Sequence, residues 1–216
     1  MEAVSRRLRL GLLLACLWLA TSGAACGLFR PAKPEPPSGS ALVPDYSTVE
    51  ATLLTMKRGI EDKARSNGLS AYIGALADTN TDHRAFHAFF DPLTVSRFTG
   101  TGRSVPDDWD RSLEAQKFYP GFVRKYSGDY KLEFTHDDSQ GNDDRGDDTA
   151  LLHLRYVVFA TLSNDSTLIV ANGFANLYLV RSSANRWAVV RWDDREQSPP
   201  PNPEALSFGQ QRLESQ

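Results

Sequence analysis

From Asp129 onward the apolar residues stop recurring every three or four positions and recur every second one, as far as Asp193. That is the period of strands with one buried face, and it cannot be read as helix. Residues 129–136 set Tyr130, Leu132 and Phe134 against Lys131, Glu133 and Thr135. Residues 149–163 set Leu152, Leu154, Tyr156 and Val158 against His153 and Arg155. Residues 166–181 predict a strand longer than most. Such a strand must bend, and Gly173 at its centre is expected to mark the bulge or kink. Its small apolar face, Ile169, Ala171, Gly173, Ala175 and Leu177, is expected to face the core, with Asn172 and Asn176 on the outer side. A turn at 182–185 leads to a last strand at 186–193, with Trp187 and Val189 inward and Trp192 on the opposite face.

Before Asp129 the period is helical. Ser47-Thr48-Val49-Glu50 reads as a capping box, and Val49, Leu53, Met56, Ile60 and Ala64 follow as one apolar stripe that Asn67-Gly68 ends. A short second helix is expected at 70–77, and a helical stretch at 81–90. Asp91-Pro92 starts another turn by N-cap and N1 logic. A third main helix is expected at 107–119, with Pro120-Gly121 bending or breaking it. Helices first and an antiparallel meander last define an α+β chain, one curved sheet over a helical layer.

Three stretches in this order, "AFHAFFDPLTVSRFTGTGR", "SLEAQKFYPGFVRKY" and "GFANLYLVRSSANRWAVVRWDD", resemble an NTF2-like (SnoaL-type) domain, over roughly residues 45–194. The resemblance implies a cone, with N-terminal helices packed in a curved antiparallel sheet and a pocket at the open end. It also implies a monomer or a sheet-to-sheet homodimer. Members include isomerases, dehydratases and cyclases, and many that bind or assemble, so the fold leaves the activity open.

The first residues carry Arg6, Arg7 and Arg9, then an uncharged apolar run at 10–20 and small residues at 21–25. This is the pattern of a signal peptide over 1–25, too short for a spanning helix. Gly23-Ala24-Ala25-Cys26 resembles a bacterial lipobox, with Gly23 where Leu is preferred. Leu13-Leu14-Ala15-Cys16 matches better by letter, but leaves a short export core. Cleavage before Cys26 would leave one cysteine, unable to form an intramolecular disulfide. Acylation of Cys26 would remove that free thiol and anchor the chain. A proline-rich tether, 26–44, would then hold a domain at 45–197 clear of the membrane, extended at about 3.1 Å per residue. The proline-rich, then polar tail at 198–216 is expected to be disordered, with at most a helical turn at 204–208. Soluble secretion is the alternative.

With 24 basic and 27 acidic residues the net charge is −3. That leaves no footprint for nucleic acid and no polybasic lipid patch. His83 and His87 stand four apart with no third ligand in view, and the six aspartates of "HDDSQGNDDRGDD" lack an EF-hand pattern; no metal or cofactor is expected. No nucleophile elbow, phosphate loop or dinucleotide fingerprint is present. Two readings stand for Trp109 and Tyr119 on the third helix: they rim the cone, or they simply pack. Tyr156, on an inward face, and Arg191, toward an edge, complete the expected ligand-binding residues. The expected protein is an exported lipoprotein, anchored to the bacterial cell envelope, whose non-catalytic domain binds a small apolar ligand or an envelope protein. An isomerase- or dehydratase-type enzyme using a pocket acid or base, and a soluble secreted binding protein, are the alternatives.

Overall fold

The structure, a computed structural model, describes residues 42–63 and 67–216. The expected signal segment, Cys26, the tether as far as residue 41, and Ala64 of the first stripe lie outside the described residues. The domain begins earlier than expected: Leu42 is buried, and its carbonyl accepts a hydrogen bond from Asn67.

Helix α1 (Val49–Glu61) starts one residue later than the sequence suggests. Thr48, not Ser47, is the N-cap, and its hydroxyl accepts from the Ala51 amide. Val49, Met56 and Ile60 are buried and Leu53 packs against them, as the three-and-four spacing requires. Asp62 caps α1 at its C-terminus, and α2 (Gly68–Gly74) begins where the first helix was expected to end.

The stretch expected as helix at 81–90 is instead turns and a strand, β1 (His87–Phe89). His83 adopts a positive φ of 53°, and His87 hydrogen-bonds Asp108 at 2.7 Å, so the two histidines share no helix face. Tertiary pairing overrides local propensity here. β1 lies parallel to the last strand, with Ala88 opposite Trp192, and antiparallel to β2 (Trp109–Asp110). Helix α3 (Pro92–Gly100) follows β1, with Asp91 accepting from the Leu93 amide as its N-cap.

The third main helix starts at Arg111 and survives Pro120. It runs as α4 (Arg111–Leu113), widens into a π-helical turn (Glu114–Phe118), and continues as α5 (Tyr119–Arg124). A proline inside an α-helix collides with the carbonyl four residues back. Here the preceding turn is already opened to i→i−5 spacing, with the Tyr119 amide bonded to the Glu114 carbonyl, so Pro120 sits in the first turn of α5.

The alternating half folds as read. Strands β3 (Tyr130–His136), β5 (Thr149–Thr161), β6 (Thr167–Arg181) and β7 (Trp187–Glu196) are antiparallel neighbours, and β4 (Asp144–Arg145) in the acidic hairpin pairs with β5. The sheet order is β2-β1-β7-β6-β5-β3. Two bulges bend it, neither at Gly173. One skips Val170 in the β5–β6 ladder and the other skips Val190 in β6–β7. Gly173 has a different reason: a Cβ there would lie 2.6 Å from the Tyr156 hydroxyl and 2.7 Å from the Arg195 carbonyl.

The Val190 bulge reverses the phase of β7. Trp187 and Val189 face inward before it, and Trp192 and Asp194 face inward after it. Trp192, expected on the opposite face, is therefore wholly buried, and Arg191 is exposed.

The tail is the largest departure from the sequence reading. Residues 198–216 run along the sheet and back into the cone, rather than lying disordered. The Leu206 carbonyl accepts from the Asn172 amide, and the Asn202 amide group donates to the Ile169 carbonyl, serving edge groups of β6 beyond the reach of β7. Asn172, expected to face water, is buried by this cover and donates to Gln197 at 2.6 Å. A last helix, α6 (Phe208–Glu214), follows a Ser207/Gln210 capping box. It packs on β6, β7 and the π turn, with Phe208, Arg212 and Leu213 fully buried.

Candidate functional site

Glu114 begins the π turn on the same helical face as Phe118 and Phe122, so the fold carries its carboxylate into the aromatic interior, where it is wholly buried. Both oxygens are fully engaged. Oε1 accepts from the Tyr72 hydroxyl at 2.6 Å and from Arg212 Nη2 at 2.8 Å. Oε2 accepts from Trp109 Nε1 at 2.6 Å and from Arg212 Nε at 2.9 Å. The Arg212 guanidinium lies over the rings of Phe118 and Trp192, 5.0 and 4.7 Å from their centroids. This is a bidentate pair in a dry setting, where two parallel charge-assisted bonds offset the desolvation of both ions.

Asp194 is the second acid of this interior. Burial pushes its carboxyl above the ordinary value of 3.8, opposed by the charge of Arg212 and by hydrogen bonds that favour the ionised form. Its Oδ1 accepts from the Tyr156 hydroxyl at 2.7 Å, and its Oδ2 accepts from the Gly209 amide at 2.8 Å. Tyr156 in turn accepts from the Phe208 amide at 2.7 Å. Asp194 and Tyr156 thus hold the first turn of α6. Gly209 is required there, because a Cβ would stand 2.8 Å from Asp194 Oδ2. Burial first, then the adjacent carboxylate, holds the hydroxyls of both Tyr72 and Tyr156 in their protonated form well above the usual tyrosine range.

Among the four residues expected to bind ligand, the fold brings Trp109 and Tyr156 into this interior. Tyr119 lies beneath it, donating to the Gly59 carbonyl at 2.6 Å, its hydroxyl pushed up to about 12 by burial and then by Asp62. Arg191 is on the outside, paired with Asp193 at 2.6 Å and lying over Phe89 and Tyr178. Glu114, Asp194, Tyr72 and Arg212 were not singled out from sequence. A signal for Glu114 existed: a lone acid in register with Phe118 and Phe122 on an otherwise apolar face. A signal for α6 existed too, in the Ser-x-x-Gln box at 207–210.

The interior holds acids and hydroxyl donors, but α6 fills it. Open clefts lie elsewhere. One of about 430 Å³ is lined by Asp78, Asn80, Phe86, Asp110, Arg111 and Gln116, and one of about 210 Å³ runs between α3 and α6 beside Arg97, Phe98 and Leu213. Among the described residues no cluster of three His, Cys, Asp or Glu side chains is placed to hold a metal ion, and no helix is long and apolar enough to cross a membrane.

No protein-family model matches the chain, and no curated protein matches it in sequence. Solved structures similar to it include a protein from Thiobacillus denitrificans provisionally described as a calcium/calmodulin-dependent protein kinase type II association domain. It is 18% identical, with 72% of this chain and 100% of that one covered and a TM-score of 0.47. A Mycobacterium tuberculosis protein of unknown function is 12% identical, over 69% of each chain, with a TM-score of 0.45. An NTF2-like superfamily protein from Salmonella enterica is 11% identical, over 70% of this chain and 91% of that one, with a TM-score of 0.44. With its helices leading and a curved antiparallel sheet of four main strands closing over them, the chain has an α+β fold.

Proposed function

We propose that this chain is an exported lipoprotein whose NTF2-like domain is a binding module and not a catalyst. It is tethered through Cys26 to the cell envelope and meets an envelope protein on its outer surface. The observation that carries the non-catalytic reading is the occupied cone. An acid or base must come within hydrogen-bond reach of a substrate proton. Here the two carboxylates of the cone interior, Glu114 and Asp194, already spend their oxygens on the chain's own donors, and Phe208 fills the space against Tyr156. A cone packed with its own aromatic side chains fits binding or assembly better than turnover. It also favours a protein partner over a small apolar ligand.

Two measurements test this. Cys26→Ser is expected to abolish incorporation of labelled fatty acid and to move the protein from the membrane fraction to the soluble one. One acyl chain gives only marginal binding, so stable anchoring requires more than one. Persistent labelling in that variant rejects Cys26 as the anchor. An apolar reporter dye added to the intact purified chain is expected to give no saturable signal; saturation at one site per chain rejects the closed cone.

A further inference from the structure

Arg212 is the one charged side chain of the interior cluster that the cone wall does not itself supply; it comes, with Phe208, from α6. Glu114 sits on the π turn, Tyr72 on α2, Trp109 on β2, Phe118 on the π turn and Trp192 on β7. Every contact that recognises the guanidinium therefore belongs to the wall: two carboxylate oxygens at 2.8 and 2.9 Å and two aromatic rings within 5.0 Å. The other two donors on the carboxylate, Tyr72 and Trp109, also come from the wall and fix its plane. A wall so arranged around a buried negative charge requires a cation. It also selects among cations. Two parallel N–H bonds to one carboxylate, made by a flat group lying on aromatic rings, describe a guanidinium or amidinium and not an ammonium.

The resident arginine arrives on a seven-residue helix, at the end of a connection carrying Pro199, Pro200, Pro201 and Pro203. It leaves the fit incomplete. Arg212 Nη1 and the nearby Trp192 Nε1 are both buried without an acceptor among the described residues.

We infer that the interior of the cone is a recognition site for a planar guanidinium or amidinium cation, built on Glu114, Phe118 and Trp192, and that Arg212 occupies it in cis. The same chemistry can come from a small molecule or from the arginine of a second copy's C-terminal segment. The inference is independent of the tether at Cys26.

Chemical rescue tests it on the full chain. Arg212→Ala leaves a guanidinium-sized space beside Glu114, and buried cavities of matching shape take up small solutes. Ethylguanidinium at low millimolar concentration is expected to raise the melting temperature of Arg212→Ala saturably, by several degrees. Ethylammonium at the same concentration is expected to do nothing, and adding Glu114→Gln to the variant is expected to remove the response. If Arg212→Ala does not fold alone, the same readings are taken as recovery of the folded state when it is refolded with either cation. A peptide of residues 203–216 forms the second arm. Saturable stabilisation by the peptide at lower concentration than ethylguanidinium assigns the ligand to a second copy; a response to ethylguanidinium alone assigns it to small cations. No saturable response to either probe, an equal response to ethylammonium, or a response that survives Glu114→Gln overturns the inference.

Discussion

Replacing Phe208 by Ala is expected to cost about 3–5 kcal/mol of stability, the range for an aromatic ring removed from a packed core. In a domain of this size that lowers the melting temperature by roughly 6–20 °C. The ring is fully buried. It stacks on Tyr156 at 4.4 Å with an interplanar angle of 7°, and meets Phe118, Phe122 and Trp192 edge-on at 5.4, 5.3 and 5.6 Å. Its backbone amide also bonds the Tyr156 hydroxyl. Removing the ring leaves a cavity between α6 and the sheet and loosens the first turn that Asp194 holds. A residue in a disordered tail would change stability by no more than about 0.5 kcal/mol. Urea or thermal unfolding of Phe208→Ala separates the two cases, and a loss below about 1 kcal/mol means that α6 is not docked.

Glu114→Ala is expected to lose a comparable amount, about 3–5 kcal/mol, because it leaves the buried guanidinium of Arg212 without its counter-ion. It also deprives the Tyr72 hydroxyl and the Trp109 indole of their acceptor, each a further desolvation cost on the order of 1–3 kcal/mol. The double replacement Glu114→Leu with Arg212→Met is expected to recover the part of the loss that comes from the unpaired guanidinium, since apolar groups of similar volume can fill a site vacated by a buried pair, while Tyr72 and Trp109 still lack their acceptor. A double-mutant cycle on unfolding free energies reads the coupling. Additive single effects would show that the two side chains do not share a site. The exposed pair Arg145–Glu50 gives the contrast: it is screened by water, and its removal should cost less than about 1 kcal/mol.

Local rules carried the sheet. The two-residue period of β3, β5 and β6 places Leu132, Leu152, Val158 and Leu177 inside by geometry alone, because a strand has only two faces. Asp91-Pro92 and the stripe of α1 were legible for the same kind of reason: a cap and a helical face are set by residues within a turn of one another.

The features that define the interior were not of that kind. The Val190 bulge moves Trp192 and Asp194 to the inner face, and the strand's own pattern carries no mark of it, because a bulge is a relation to a neighbouring strand. Residues 81–90 contain a helical spacing, yet His87–Phe89 becomes strand because β7 offers a free edge. The tail is the clearest case. Its prolines and polar residues read as solvated chain, and seven residues cannot hold a helix alone in water. Only the assembled cone supplies Tyr156 and Asp194 to hold its first turn and Glu114 to neutralise Arg212. The sequence by itself determined an α+β chain with a half-buried sheet, since those depend on near neighbours. Whether the cone is open or filled depended on groups about 100 residues apart in the chain, and only the tertiary structure brought them within hydrogen-bonding distance.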